Sequence, residues 1–273
     1  MKRMALGVQQ NYGFLLLAML LMLSASPAWA QDETPTLRSP AGAAGQAAPM
    51  ISPQQFDTLT CNLWNQPQGS VNIAFPSQDF ETEVDPYDIF LADDFISPRP
   101  WLIDTVYVPG GLWNGGTTLA NAESLHFEIY RDSGGKPDGD PRGGGNPPVW
   151  SLAVSPADSR IIIENDTLGT QGNVILELVE PVQLNSGTYW LVFYPRMDFF
   201  TFGQYGRFTA DTTNRFPAQV MNPGEGYVDP PPVPPTWSNA AVLPDFSPRH
   251  DLAFCLQGEE GFYWPMFLPA TVK

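Results

Sequence analysis

Asp85-Pro-Tyr-Asp-Ile-Phe-Leu-Ala-Asp-Asp-Phe95 is the stretch on which the fold turns. In an extended strand, Ile89, Leu91 and Asp93 share one face, and Phe90, Ala92 and Asp94 share the other. Two adjacent aspartates are unfavourable in a strand, so neighbouring groups must compensate for them. The acids invite a functional reading; the alternation around them indicates a β-strand.

On either side of this stretch, the same short alternating pattern recurs from Phe56 onward. The runs are Leu59–Trp64, Val71–Phe75, Ile89–Phe95, Trp101–Val108, Ser124–Tyr130, Val149–Val154, Arg160–Glu164, Val174–Val179, Thr188–Tyr194, Phe199–Tyr205 and His250–Leu256. Pro-Gly-Gly, Asn-Gly-Gly, Ser-Gly-Gly and Pro-Pro-Pro punctuate them. Many short β-branched and aromatic runs between Gly/Pro turns predict an all-β, antiparallel β-sandwich. Two longer loops interrupt the rhythm, Lys136–Pro148 and Met221–Trp237, the second rich in proline.

The flanks read differently. Residues 1–30 carry Lys2 and Arg3, an apolar run from Phe14 to Leu23, and Ala28-Trp29-Ala30, the pattern of a signal peptide cleaved before Gln31. Residues 31–54 are Pro-, Ala- and Gly-rich without periodicity and read as a disordered spacer. Residues 55–258 are the β-sandwich domain. Residues 259–273 form an aromatic, apolar tail, too short and too proline-broken to span a membrane as a helix. Leu268-Pro-Ala-Thr271 partly resembles a sortase signal, but Val272 stands where glycine is required and no hydrophobic span follows, so the tail is left as a docking or sorting element.

The whole chain carries a formal charge of −16; without residues 1–30 it has 11 basic against 29 acidic residues, or −18. Such a chain repels nucleic acid and anionic membrane surfaces. It is compatible with solubility outside a cell, with neutral glycans, or with cations. The two cysteines, Cys61 and Cys255, are expected to pair in an exported protein. Closing a loop of roughly 190 residues is worth on the order of 5 kcal/mol in the chain-entropy description. Parity is the difficulty: Leu252, Phe254 and Leu256 take the inward face, so Cys255 points outward, and Cys61 must reach that outer face.

Leu91-Ala-Asp-Asp-Phe95, Trp101-x-Ile103-x-x-Val106, Gly110-Gly-Leu-Trp113, Phe127-x-Ile-Tyr-Arg-Asp132-x-Gly-Gly-x-Pro137, Leu184-x-x-Gly187-Thr-Tyr-Trp-Leu191 and Asp251-Leu-Ala-Phe254 follow in order. Together they resemble the "ADDF … GTYWL … DLAF" β-sandwich modules of secreted bacterial proteins. That resemblance covers about residues 85–258 and implies a jelly-roll-like fold, mostly without an assigned activity. It also implies a polar, outward position at Cys255.

Candidate sites follow from residue chemistry. If the first and last strands are tied together, Asp251 approaches Asp93 and Asp94, and a structural Ca²⁺ would relieve the repulsion of three carboxylates. The plainer alternative has these acids accept backbone N–H groups or pair with Arg249. A second Ca²⁺ candidate is the oxygen-rich loop with Asp132, Asp138 and Asp140, where Asx-turns are the plainer account. Trp113, Trp150, Tyr205, Tyr227 and Trp237 lie in or near loops and offer a stacking platform for glycans, or else cap the core. His126 reads as an exposed strand histidine. No Gly-x-Ser-x-Gly elbow, His-Glu-x-x-His or Cys/His dyad is present. The expected role is a non-catalytic extracellular or cell-surface interaction and structural module, with a glycan or a cell-surface protein as partner. A carbohydrate-binding module and a polysaccharide hydrolase with paired carboxylates are the alternatives.

Overall fold

The computed structural model describes residues 34–37, 59–70, 73–211, 213–228, 231–246 and 251–261. The signal peptide, most of the spacer, Arg249, His250 and the tail beyond Gly261 lie outside the described residues. The chain divides into two units, Met1–Thr34 and Pro35–Lys273, and the second carries every strand named below.

The predicted antiparallel β-sandwich is what forms. β1 (Trp64–Gln66), β2 (Ala74–Pro76), β3 (Phe90–Ser97), β4 (Trp101–Val108), β5 (Gly110–Trp113), β6 (Ser124–Arg131), β7 (Trp150–Val154) and β8 (Ile161–Glu164) make the first half. β9 (Asn173–Leu184), β10 (Gly187–Arg196), the helical turn α1 (Phe199–Phe202), β11 (Gln204–Ala210), β12 (Gln219–Met221), β13 (Ser238–Asn239), β14 (Asp251–Leu252) and β15 (Phe254–Glu260) make the second. One sheet has the order β1-β15-β4-β9-β8 and another β13-β12-β3-β10-β6-β7; a smaller sheet is ordered β14-β11-β2, with β5 also paired to β11.

The alternation in β3 explains its central place. Leu91 and Phe95 face inward, Phe95 into the main core with Ile103, Phe127, Leu191, Phe193, Phe254 and Leu256, and Leu91 into an adjoining cluster with Phe75, Ile89, Val220 and Leu252. Phe90 and Ala92 face the other way and are also buried, with Trp190, Val192, Tyr194, Met221 and Trp237. Each large apolar side chain so buried contributes about 1.5–3 kcal/mol. A strand buried on both faces must be covered on its outer side, and the two long loops supply that cover: Trp237 Nε1 donates to Gly139 O at 2.8 Å and Lys136 Nζ to Trp237 O at 2.8 Å.

Three local expectations need correction. Gly110-Gly111, read as a turn, is strand β5, because its glycines allow close approach to β11: a Cβ on Gly110 would collide with Tyr205 Oη. Phe199–Tyr205, read as one strand, begins as a helical turn capped by Asp198, whose carboxylate accepts Thr201 N at 2.7 Å. Gly203 (φ +77°) ends that turn and starts β11. Within residues 31–54, Thr36 is bonded to Gln204 in both directions and its hydroxyl accepts Trp113 Nε1 at 2.9 Å, while Leu37 packs against the cluster that contains Phe75 and Leu252. Part of the expected spacer is thus fastened to the domain.

The disulfide joins Cys61 to Cys255 with Cα atoms 5.3 Å apart. The parity difficulty has a local solution. Cys61 takes φ +44° and β1 starts only at Trp64, so Leu59 and Cys61 join Tyr107, Ile175 and Cys255 outside the sheet while Leu63 packs on the main core.

Candidate functional site

β10 pairs with β3 so that Leu191 lies opposite Asp93 and Trp190 opposite Asp94. β14, which opens with Asp251, is paired to β11. The ADDF, GTYWL and DLAF motifs therefore meet in space. Asp93 is fully buried. Its Oδ2 accepts Leu252 N and Gln66 Nε2, both at 2.6 Å, and its Oδ1 accepts Asp94 N at 2.9 Å. Asp251 Oδ2 accepts Asn214 N at 2.6 Å and Oδ1 accepts Ala218 N at 3.3 Å; Asp94 Oδ1 accepts Phe216 N at 3.2 Å.

The compensating cation is Arg207 on β11, a residue that sequence reading missed. It is fully buried, and its Nη1 donates to Leu91 O at 3.3 Å and Leu191 O at 3.2 Å. Burial pulls its pKa down to about 10, against the pull of Asp93 in the other direction. Burial, reinforced by the charge of Asp251, holds Asp93 well above the usual carboxylate range. Burial likewise pushes Asp94 up to about 7 and Asp251 to about 6, against the N–H bonds each accepts.

Most of these carboxylate oxygens are engaged within the protein. Five of the six carboxylate oxygens accept backbone N–H groups, and Asp93 Oδ2 also takes a side-chain amide. Both Asp251 oxygens point at loop 214–218. Among the described residues, no group of three or more His, Cys, Asp or Glu side chains is arranged to hold a metal. The expected convergence is present, and the backbone-accepting alternative describes its chemistry. Arg249, the other partner considered, lies outside the described residues.

The acids of the second Ca²⁺ candidate are bonded mostly within their own loop, with Asp138 Oδ1 accepting no hydrogen bond. Asp132 Oδ1 accepts Gly135 N and Trp190 Nε1, each at 3.0 Å. Asp140 Oδ1 accepts Arg142 N at 2.8 Å and Gly144 N at 3.0 Å, and Asp138 Oδ2 accepts Asn146 Nδ2 at 3.2 Å. The backbone bonds of Asp132 and Asp140 are of the Asx-turn kind. Of the rings offered for glycan stacking, Trp113, Tyr205, Tyr227 and Trp237 are all buried, as rings that cap a core are. Their faces pack on protein, with Tyr205 edge-on to Phe193 and Tyr227 edge-on to Tyr87. Trp150, on edge strand β7, is half-buried.

A polar constellation that sequence reading did not assemble lies on the outer face of the six-stranded sheet. Outward positions of β6 carry Ser124, His126, Glu128 and Tyr130, and β10 adds Tyr194 and Arg196. Glu128 accepts both phenols, Tyr130 at 2.5 Å and Tyr194 at 2.9 Å. His126 is half-buried rather than exposed; it stacks on Tyr194 at 4.7 Å, and burial lowers its pKa. Arg196 bonds Asp79 at 3.2 Å and Glu123 at 3.0 Å. Arg142, from the Gly-rich loop, ion-pairs with Asp88, stands 3.8 Å from Asp79 and lies over the Phe90 ring at 5.9 Å. Beside it is a surface depression of about 240 Å³ lined by Glu81, Glu123, Arg196, Asp198 and Phe202, among others. The signal available in the sequence was the period-two row Ser124, His126, Glu128, Tyr130; the partners from residues 79, 88 and 142 are brought in only by tertiary pairing.

No protein family, curated protein or solved structure matches this chain.

Proposed function

We propose that this protein acts outside the cell as a non-catalytic interaction and structural module, of the kind its "ADDF … GTYWL … DLAF" motifs suggest. The observation that carries the reading is where its reactive-looking groups go. The Asp93, Asp94 and Asp251 oxygens fasten β3, β14 and the 214–218 loop together, and four of the five candidate sugar-stacking rings are interior. Reaching the surface on the outer side of the six-stranded sheet are the half-buried Ser124, His126, Glu128 and Arg196, over the buried rings of Tyr130 and Tyr194 that Glu128 bonds. The Cys61–Cys255 bond fits an oxidising compartment, and no helix among the described residues is long and apolar enough to cross a membrane. Export itself rests on the reading of residues 1–30.

The test is a pair of screens on the purified, disulfide-intact protein. Incubation with a panel of polysaccharides should release no reducing ends, and a glycan array should give no saturable signal. Hydrolysis that disappears in Glu128→Gln would replace this reading with an enzyme. Glycan binding that disappears in Trp150→Ala would replace it with a carbohydrate-binding module.

A further inference from the structure

We propose that the outer face of the six-stranded sheet holds a guanidinium-binding cradle, occupied at rest by the chain's own Arg142, and that its external ligand is an arginine side chain on a basic segment of a partner protein. This deepens the reading of the protein as an interaction module and rests on it.

The cradle's walls belong to the framework. Asp88 is fully buried; its Oδ1 accepts Phe80 N at 2.7 Å, while its Oδ2 accepts no hydrogen bond and meets the Arg142 guanidinium. Asp79 is 9% exposed; its Oδ2 is taken by Arg196, while its Oδ1 accepts no hydrogen bond and faces Arg142 at 3.8 Å. The floor is Phe90, packed edge-on against Tyr194 at 4.8 Å. Tyr194 is in turn fixed by Glu128 and by the stacked His126. Two carboxylates beside an aromatic face are complementary to a planar, weakly hydrated cation that both pairs and stacks.

The plug belongs to a surface loop. Asp140-Pro-Arg-Gly143 is a β-turn closed by Gly143 N donating to Asp140 O at 3.0 Å, with Arg142 at its third position. The loop holds its shape through backbone contacts: Asp140 Oδ1 accepts Arg142 N and Gly144 N, Asp140 N donates to Gly144 O, and Asn146 N donates to Asp138 O. None of these uses the Arg142 side chain, which is 41% exposed. The guanidinium can therefore leave without unmaking the loop, and the buried acids behind it then demand another cation. The adjoining depression, where Glu81, Glu123 and Asp198 outnumber the single cation Arg196 in the lining, suits the rest of a basic segment. The chain's net charge of −16 favours the approach of such a partner.

The test uses arginine amide as the ligand, with lysine amide as control, titrated calorimetrically into the wild-type protein and Arg142→Ala. The expected result is saturable binding to Arg142→Ala about tenfold or more tighter than to wild type, with arginine amide preferred over lysine amide. Adding Asp88→Asn to Arg142→Ala should abolish it. Arg142→Gln, which keeps most of the side-chain volume, serves as a second unplugged variant if the alanine form melts early. An Arg142 variant that melts like wild type and binds arginine amide no better than wild type overturns the inference while leaving the module reading intact. Polysaccharide hydrolysis by the protein would overturn the module reading instead.

Discussion

Arg207 is a cation removed from water, held by the Leu91 and Leu191 carbonyls and drawn by Asp93, whose carboxyl burial keeps well above the usual range. Arg207→Ala removes the guanidinium donor to the Leu91 and Leu191 carbonyls and empties a fully buried large side-chain site, and the expected loss is more than about 2 kcal/mol. Denaturant unfolding measures this. Combining Arg207→Met with Asp93→Asn should cost less than the sum of the two single changes, because each group acts on the other inside the fold. At Asp94 the sign is opposite. Its carboxyl titrates near 7 in the fold and near 4 in the unfolded chain. The stability it contributes is therefore full below about pH 4 and is lost as pH rises toward 7. Asp94→Asn keeps an oxygen for Phe216 N and removes the charge. It should raise the melting midpoint at pH 8 by several degrees, about 2–4 °C per kcal/mol in a chain of this size, and leave the midpoint at pH 4 nearly unchanged.

Strands β2, β5 and β11 depend on close backbone approach as much as on apolar burial. A Cβ on Gly206 would collide with Phe75 O on β2 and lie 2.6 Å from the Trp113 ring on β5. Gly206→Ala should therefore prise β11 from both neighbours and cost more than about 2 kcal/mol, against the roughly 1 kcal/mol typical of a substitution; thermal melting reads the difference. β11 is also the strand whose surroundings sequence reading did not reach. The alternation in Leu91–Phe95 and Thr188–Tyr194 was legible because a period of two shows directly which side chains share a face. The convergence of Asp251 on Asp93 followed from the two cysteines. Arg207 was invisible because a charged residue in Gln204–Ala210 reads as outward until its side chain is known to meet the Leu91 and Leu191 carbonyls of β3 and β10. The cradle was invisible because Asp79, Asp88 and Arg142 are far apart in sequence and meet only through the loop 138–146. Loop aromatics were ambiguous because a ring beside glycine either caps a core or faces solvent, and only burial separates the two.

Across the chain as a unit, the Cys61–Cys255 bond closes a separation of 194 residues and ties the segment leading into β1 to β15. Replacing both cysteines by alanine should cost about 5 kcal/mol if chain entropy governs, seen as an earlier urea midpoint with the native sheet signal retained. The same bond anchors β1, whose Gln66 donates to Asp93, so its loss should loosen the lid over the carboxylate cluster. We read that cluster as a protonating interior fastener, five of its six oxygens accepting backbone N–H groups, rather than as an ion site. The measurement that decides between the two is the melting midpoint from pH 4 to 8, with calcium and with chelator. A fastener of this kind gives a midpoint that falls as pH rises through about 6 and 7, where Asp251 and Asp94 titrate, and that is the same in calcium and in chelator. A midpoint at pH 8 that calcium raises and chelator lowers, with the effect gone in Asp94→Asn, would contradict it.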